Sequence, residues 1–293
     1  MSGTPTVSVI IPHYHDLCGL DRCLALLTKQ TYPRDEFEIV VADNGSPEGA
    51  AAVAAVIAGR AALTVVDERG AGPARNGGVA RAKGQILAFI DSDCQPEPDW
   101  LTEGVCALAD FDFVGGRVQV LVDDAQQMTG VEAFERVFAF DFKTYITKKG
   151  FAGSGNLFCP RRLFDILGGF RAGVSEDVDW SHRAARAGYR IGYAPRAVVG
   201  HPARKTWTEL STKWRRINTE SYELLAERAG GRFRWLIRSL ALPVSAVIHS
   251  PRVMLSGDLN TLSQRLSALK VLYRVRCWRL FDALRLLAAN TGQ

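Results

Sequence analysis

Residues 70–101, GAGPARNGGVARAKGQILAFIDSDCQPEPDWL, contain the segment on which the fold prediction rests. Helical spacing over about 73–83 leads into the apolar run Ile86–Ile90, which ends at Asp91-Ser92-Asp93. A short apolar run that follows a helix and ends in turn residues is typical of a buried strand in a parallel sheet. The segment therefore predicts a helix–strand unit whose strand ends in two carboxylates.

The same alternation extends towards the start of the chain. Apolar runs at Val7–Ile11, Phe37–Ala42 and Leu63–Val66 are separated by stretches with helical spacing at 17–27 and 48–58. Short strands that alternate with helices form sheets covered by helices on both faces. We predict an α/β fold with a Rossmann-like, mostly parallel sheet flanked by helices, followed by a C-terminal helical region.

Charge is distributed unevenly over the 293 residues. Residues 1–203 hold 20 basic and 25 acidic side chains, whereas 204–293 hold 16 basic and six acidic, so the overall +5 combines −5 with +10. We predict a domain boundary after residue 203, with an acidic domain at 1–203 and a basic helical region at 204–293 that serves membrane attachment or oligomerisation. The 47% hydrophobic content excludes global disorder.

Nothing in the sequence predicts export or membrane spanning. The first basic residue is Arg22, so no signal peptide is expected. The uncharged stretch between Arg238 and Arg252 is too short to cross a bilayer. Six cysteines without a Cys-x-x-Cys pair predict reduced, mostly buried thiols in a cytoplasmic setting.

The common glycine-rich nucleotide motifs are absent. The first strand–helix turn, PHYHD at 12–16, has no glycine, and Gly70-Ala71-Gly72 is followed by Arg75 where a dinucleotide motif needs its third glycine. No G-x-x-x-x-G-K-[ST] sequence occurs. A phosphate held at this sheet would therefore need side chains and a metal ion.

Carboxylates follow two of the predicted strands, where parallel sheets bind ligands. Asp91 and Asp93 could hold a divalent cation and a ribose, because Mg²⁺ and Mn²⁺ take oxygen ligands. Turn chemistry alone also explains this pair, but its place after a buried strand favours a ligand. Asp43, in Asp43-Asn44-Gly45-Ser46, contacts a base or ribose, or forms an Asx turn with Ser46 as N-cap; the two interpretations are equally supported.

Two later features have competing interpretations as well. SEDVDW at 175–180 opens a helix, and its three carboxylates either complement the helix dipole or supply a general base. Glycines in the upstream GSGN at 153–156 favour close backbone approach. His201 is either a structural residue or a metal ligand. The second interpretation requires that the fold place His201 beside Asp93, where its imidazole could complete a metal site.

Taken together, these blocks resemble the inverting glycosyltransferases of family 2, which have the GT-A fold. The matching blocks are VSVIIPHYHD at 7–16, IVVADNGSPEG at 39–49, the 70–101 segment ending in a D-x-D motif, FAGSGNLFCPRRLFDILGGF at 151–170, and SEDVDW. The resemblance covers roughly residues 7–201. Their common order makes it more specific than any single block.

The resemblance implies three groups of site residues. Asp177 would be the general base, with Glu176 positioning the acceptor or the base. Nucleotide-sugar binding would involve Pro12, Tyr14, Asp43, Arg75, Asn76, Asp91 and Ser92. Asp93 and His201 would hold Mn²⁺ or Mg²⁺, and the acceptor side would include Gly153, Asn156, Asp179 and Trp180.

The implied activity is metal-dependent, inverting, non-processive hexosyl transfer from a nucleotide sugar to a saccharide hydroxyl in surface polysaccharide synthesis. A UDP-sugar is the expected donor and a polyprenyl-diphosphate-linked saccharide the expected acceptor. Asn44 replaces a common second Asp and His13-Tyr14-His15 replaces an Asn-containing turn, so dTDP- and GDP-sugars stay open. No Q-x-x-R-W motif follows, which disfavours a processive synthase.

The basic region carries a leucine-rich seam with 3/4 spacing. Its members are Leu259, Leu262, Leu266, Leu269, Tyr273, Cys277, Leu280, Leu284 and Leu287. We expect the seam to be buried on the catalytic domain or on a second copy, as a homodimer. The charge, with Trp235, Trp278, Phe233 and Phe281 interleaved, suits the anionic inner face of the cell membrane, where we expect a peripheral enzyme. Nucleic acid would suit the charge equally, but nothing else predicts base recognition, so no nucleic acid is expected.

Three alternatives remain at this point. The chain could be a non-catalytic GT-A-like scaffold or membrane-binding module. It could be a sugar-nucleotide pyrophosphorylase, although that class has a glycine-rich basic loop after the first strand, where this chain has His13-Tyr14-His15. It could also be a transferase that acts on a soluble protein or a small molecule.

Overall fold

The computed structural model describes residues 6–289. The strands in this range are β1 Val7–His13, β2 Phe37–Asp43, β3 Ala62–Val65, β4 Ile86–Ile90, β5 Gln95–Pro96, β6 Phe113–Leu121, β7 Asn156–Pro160 and β8 Ile191–Pro202. The α-helices are α1 Leu17–Leu27, α2 Ala50–Ile57, α3 Ala71–Arg81, α4 Trp100–Ala107, α5 Gly130–Phe138, α6 Phe142–Lys149, α7 Arg161–Leu167, α8 Glu176–Arg186, α9 Trp207–Ala226, α10 Gly231–Leu240, α11 Leu242–Met254 and α12 Leu262–Ala289.

The eight strands form one mixed sheet in the order β3-β2-β1-β4-β7-β6-β8-β5. Strands β3, β2, β1 and β4 are parallel, whereas β4 pairs antiparallel with β7, β7 with β6, and β5 with β8. The α/β prediction is confirmed, including the parallel run of the first four strands. The antiparallel half of the sheet had no counterpart in the sequence pattern.

The parallel strands are buried because helices cover them closely. Val9 and Ile11 of β1 are fully buried in the main core with Trp100 of α4. A Cβ on Gly78 of α3 would come 2.6 Å from Ile10, so only glycine lets α3 approach β1 at this point. The close approach places the start of α3 beside the carboxyl ends of these strands.

The chain divides into two compact units. The first unit comprises the described parts of Met1–Gln119, Asp141–Ala172 and Glu176–His201, and the second comprises Val120–Phe140, Gly173–Ser175 and the described part of Pro202–Gln293. The sequence predicted a single boundary at residue 203. In the structure, the 120–140 segment also belongs to the second unit.

Ion pairs and helix contacts explain why the 120–140 segment belongs with the C-terminal helices. Glu135 is 1% exposed and binds Arg204 at 3.1 Å and Lys213 at 2.8 Å. Burial raises the pKa of this carboxyl, but Lys213 and Arg204 more than reverse the effect and lower the pKa below its ordinary value. These partners lie 69 and 78 residues further along the chain, so local sequence patterns carried no signal of them.

Helix α12 buries a different face from the predicted one. In the predicted seam, Leu262, Tyr273 and Cys277 are exposed. The buried face includes Gln264, Ala268, Leu272, Val275, Arg279, Asp282, Ala283 and Leu286. The seam is therefore not wholly buried within the chain, because two apolar stripes run along this helix and spacing does not decide between them. Its burial on a second copy, as a homodimer, stays a prediction.

All six cysteines are free thiols. Cys23, Cys94 and Cys159 are buried, and the other three are exposed, so half rather than most are enclosed. Among the described helices, none combines the length and hydropathy that crossing a membrane requires.

Candidate active site

The candidate site begins with a buried arginine in the first unit. Arg75, on α3, is 3% exposed and donates from Nη1 to Glu176 at 2.8 Å and from Nη2 to Asp91 at 2.6 Å. Burial by itself lowers the pKa of Arg75, but the Asp91 and Glu176 carboxylates raise it above its ordinary value. Helix α3, the end of β4 and the start of α8 therefore meet at one guanidinium.

Arg75 was predicted to hold the nucleotide. Both of its terminal nitrogens bind carboxylates, and its buried Nε has no hydrogen-bond partner among the described residues. Arg75 therefore orders Asp91 and Glu176, and its contact with the nucleotide stays a prediction.

Asp177 is half-buried beside this ion-pair cluster. The pKa of Asp177 is raised to about 7, mainly by burial and secondly by the negative charge of Glu176, whereas Arg75 acts in the opposite direction. One of its oxygens accepts a hydrogen bond from the backbone N–H of Val178 at 2.8 Å. A carboxyl with this pKa can accept and release a proton near neutral pH, as a general base must.

The fold brings His201 to Asp93. Strand β5 pairs antiparallel with β8, with Gln95 opposite Gly200, so the residues just before β5 lie beside His201. The His201 Nε2 and Asp93 Oδ2 atoms are 3.4 Å apart. The pairing of β5 with β8 therefore places His201 close enough to Asp93 for both to bind one metal ion.

Asp93, Cys94 and His201 present ligand atoms within 4.8 Å of one another. A carboxylate and an imidazole fit Mn²⁺ or Mg²⁺, which leaves further positions for water and phosphate oxygens. Cys94 does not suit such an ion, because a hard divalent cation prefers oxygen ligands to a soft thiol. Asp93 and His201 are therefore the pair that fits a hard divalent cation.

Asp43 closes a turn at the end of β2. Its carboxylate accepts hydrogen bonds from the Ser46 hydroxyl and backbone N–H, and His13 Nδ1 lies 3.0 Å away. Burial raises the pKa of Asp43, but the hydrogen bonds from Ser46 and His13 lower it overall. Ser46 is thus part of this turn, and the N-cap of α2 is Gly49, which corrects the predicted cap.

The other predicted nucleotide-side residues lie in three environments. Pro12 pairs with Ala42 at the end of β1, and Ser92 is half-buried in the turn between Asp91 and Asp93. The Tyr14 ring is 53% exposed and lies 5.5 Å from the Arg69 guanidinium. Sequence analysis did not assign Arg69 a role, although its position after β3 was a usable signal.

Asn76 and Gly155 stabilise the local backbone. The Asn76 amide donates to the Phe170 carbonyl and accepts from the Phe170 N–H, both at 2.8 Å, so it fixes the loop after α7. A Cβ on Gly155 would come 2.6 Å from Asp91 Oδ2, and one on Gly153 would come 2.5 Å from Phe142. Glycine is required at both positions by close contact.

Three predicted acceptor-side residues are enclosed in the first unit. Trp180 is fully buried and donates from Nε1 to the Gly168 carbonyl, and Asp179 binds Arg171 and Arg183. Asn156 is fully buried; its amide accepts from Trp100 Nε1 and donates to the Arg117 and Ala197 carbonyls. Their polar groups bind within the fold, and the expectation that they lie on the acceptor side stays a prediction.

Replacing Asn156 tests this structural role. Asn156→Ala leaves a buried indole N–H, the buried Ala197 carbonyl and the partly buried Arg117 carbonyl without their partner, so we expect a loss of about 3 kcal/mol in the free energy of unfolding. Urea denaturation measures this loss. The exposed Asn260→Ala serves as control and should change stability by less than about 0.5 kcal/mol. Equal effects of the two changes would contradict the structural role.

Comparison with known proteins agrees with this architecture. The family model "Glycosyl transferase family 2" matches residues 8–168. Glycosyltransferase AglE of Haloferax volcanii is 35% identical over 211 residues, which make up 69% of this chain and 69% of the relative. A validoxylamine A glucosyltransferase of Streptomyces hygroscopicus is 34% identical over 112 residues, 37% of this chain and 26% of that protein. The chain belongs to glycosyl transferase family 2 and is a glycosyltransferase.

Solved structures share the fold. The mannosyltransferase PcManGT from Pyrobaculum calidifontis, in complex with GDP-Man and Mn²⁺, has a TM-score of 0.63 at 21% identity and covers 96% of this chain and 86% of its own. S. aureus TarS has a TM-score of 0.51 at 15% identity, over 95% of this chain and 54% of its own. These similarities show the GT-A fold.

Proposed function

We propose that this glycosyltransferase is an inverting, non-processive, metal-dependent hexosyltransferase that moves a sugar from a nucleotide-sugar donor to a saccharide hydroxyl. The observation that carries the proposal is the cluster of Asp91, Glu176 and Asp177 around Arg75 at the end of β4. The Asp93–His201 pair follows the same strand end. One region of the first unit thus contains a candidate base and a candidate cation site.

Asp177 acts as the general base in this mechanism. As the acceptor oxygen attacks the anomeric carbon, the bond between that carbon and the diphosphate oxygen breaks, and the acceptor proton passes to an Asp177 carboxylate oxygen. A single displacement from the face opposite the leaving group inverts the anomeric centre. Burial supports this role because it raises the pKa of Asp177 to about 7.

Arg75 and Glu176 position the base. Arg75 holds Glu176 and Asp91 in place from a buried site through one hydrogen bond to each carboxylate. The charge of Glu176 in turn raises the pKa of Asp177, so the cluster adjusts the proton affinity of the base.

Asp93 and His201 are the residues that would hold the divalent cation, Mn²⁺ or Mg²⁺. When bound, such an ion neutralises charge on the departing nucleoside diphosphate. The GDP-Man and Mn²⁺ complex of PcManGT supports this assignment. Asp91 and the exposed Tyr14–Arg69 pair are the proposed contacts of the nucleotide sugar.

The proposal also names the donor and the acceptor to be tested. A UDP-sugar is the first donor to test, followed by GDP- and dTDP-sugars. The proposed acceptor is a polyprenyl-diphosphate-linked saccharide at the inner face of the cell membrane. Thermal-shift screening of nucleoside diphosphates with Mn²⁺ identifies the nucleotide. A transfer assay that yields no glycoside from any of these donors would favour a non-catalytic scaffold.

The pKa of Asp177 predicts the pH dependence of transfer. The base works in its ionised form, so kcat/KM should rise with pH through a limb near 7 and fall about tenfold per pH unit below it. Glu176→Gln should shift this limb to lower pH, because it removes a negative charge that raises the pKa of Asp177. A flat profile between about pH 5.5 and 8 would contradict the assignment.

A further inference from the structure

Helix α10, in the second unit, is apolar on both its buried and its exposed faces. Trp235 and Ser239 lie on the buried face, and Trp235 Nε1 donates to the Ala283 carbonyl of α12 at 3.2 Å. Phe233, Ile237 and Leu240 lie on the opposite side of the helix and are 67%, 52% and 52% exposed. An amphipathic helix of a water-facing surface carries polar residues on that side.

Helix α11 continues the exposed apolar surface. Ala246 and Val253 are its buried residues, whereas Val244, Val247 and Ile248 are 60–69% exposed on the other side. Leu255, directly after the helix, is 83% exposed. We call Phe233, Ile237, Leu240, Val244, Val247, Ile248 and Leu255 the apolar face. It extends over two consecutive helices and is far more than the scattered exposed apolar residues of an ordinary surface.

The hydroxyls of α11 are satisfied within the helix. Ser245 donates to the Leu242 carbonyl at 2.6 Å, and Ser250 donates to the Ala246 carbonyl at 2.9 Å. His249 Nδ1 lies 2.6 Å from the Ser245 carbonyl. These polar groups therefore do not need water at the exposed side, which is compatible with an apolar environment.

The segment that carries the apolar face contains only positive charges. Between Glu227 and Asp258 the sequence contains no carboxylate and five arginines, Arg228, Arg232, Arg234, Arg238 and Arg252. At 100° per residue, Arg232 lies on one flank of the α10 apolar side, and Arg234 and Arg238 lie on the other. Long arginine side chains at such flanks can reach outwards while the helix lies in an interface.

We propose that the apolar face of α10 and α11 inserts into the headgroup–acyl boundary of an anionic membrane, with the flanking arginines on lipid phosphates. A two-fold dimer through this face would bring arginines of both copies together without any carboxylate of the segment to neutralise them, which disfavours a second copy. Phosphates of an anionic membrane carry the opposite charge to this arginine-rich segment. Helices α10 and α11 would thus make the membrane contact that the proposed location requires, whatever reaction the enzyme catalyses.

The experiment compares full-length variants in vesicle co-sedimentation. Wild-type protein should bind phosphatidylcholine–phosphatidylglycerol vesicles, and Phe233→Ser/Ile248→Ser should lower the partition coefficient by at least about tenfold, because two large apolar side chains no longer insert. Ile166→Ser is the matched control: it removes a 59% exposed apolar side chain from the first unit and should leave binding unchanged. Both variants alter exposed positions, and circular dichroism checks that each is folded.

A charge variant separates electrostatic attraction from insertion. Arg232→Gln/Arg234→Gln should weaken binding to the anionic vesicles roughly fivefold per arginine and leave the weaker binding to pure phosphatidylcholine unchanged. No vesicle binding by wild type, or equal binding by wild type and Phe233→Ser/Ile248→Ser, overturns the proposal. A dimer in sedimentation velocity that this variant dissociates, without vesicle binding, assigns the face to a second copy. Donor hydrolysis in solution should be the same in all variants, so failure here is distinct from failure of the proposed activity.

Discussion

Asp177→Asn should reduce the transfer rate by about 10²–10⁴ and leave donor affinity unchanged. The amide is nearly isosteric with the carboxylate but cannot accept the acceptor proton at neutral pH. Arg75 binds Asp91 and Glu176 directly rather than Asp177, so the ion-pair cluster should stay intact. Single-turnover transfer measures the rate, and calorimetry with the nucleoside diphosphate measures affinity.

A control variant and the pH profile make this prediction specific to Asp177. The exposed Asp165→Asn removes a carboxylate from α7 and should turn over like wild type. The residual activity of Asp177→Asn should also lack the limb near pH 7, since the group responsible is absent. Near-wild-type turnover, or an unchanged limb, would rule Asp177 out as the base.

Asp93→Ala should abolish the Mn²⁺-dependent part of donor binding. Loss of a supporting residue around a metal typically lowers affinity by roughly 10–100-fold, and loss of a direct carboxylate ligand should exceed this range. Titration of the nucleoside diphosphate with Mn²⁺ and with a chelator measures the metal-dependent difference. For the variant, the two titrations should coincide.

Cys94→Ser tests the neighbouring position. Burial and the two aspartates raise the pKa of the Cys94 thiol, so it should stay protonated and contribute no thiolate ligand. We expect metal-dependent donor binding close to wild type, with melting temperature reporting any loss of core stability. A loss as large as that of Asp93→Ala would include Cys94 among the ligands, and full metal dependence in Asp93→Ala would exclude Asp93.

Local patterns predicted the first half of the fold well. The run Ile86–Ile90 is β4 at the same residues, and the helix expected over about 73–83 is α3. Buried parallel strands are continuous apolar runs, so each strand is visible without its neighbours. The antiparallel half, β6 to β8, follows from long-range pairing and has weaker local signals.

Apart from the Asp93–His201 and Glu176–Asp177 pairs that the resemblance implied, site residues were predicted as positions without their partners. Local sequence shows that Asp91, Asp93 and Asp177 stand at element ends. It does not show that Arg75 lies between Asp91 and Glu176, which is 101 residues away from Arg75 in the chain. Asn156 illustrates the opposite failure: a polar residue in a glycine-rich turn lies in the core because three groups of the fold bind its amide.

The sequence by itself determined the α/β class, the strand ends that carry carboxylates, and an acidic body followed by a basic region, because periodicity and charge are local properties. Tertiary structure alone decided that His201 reaches Asp93, that burial raises the pKa of Asp177 to about 7, and that 120–140 joins the C-terminal helices. It also decided which stripes of α10 to α12 are exposed. Each of these outcomes depends on contacts between residues far apart in the chain, which only the folded structure specifies.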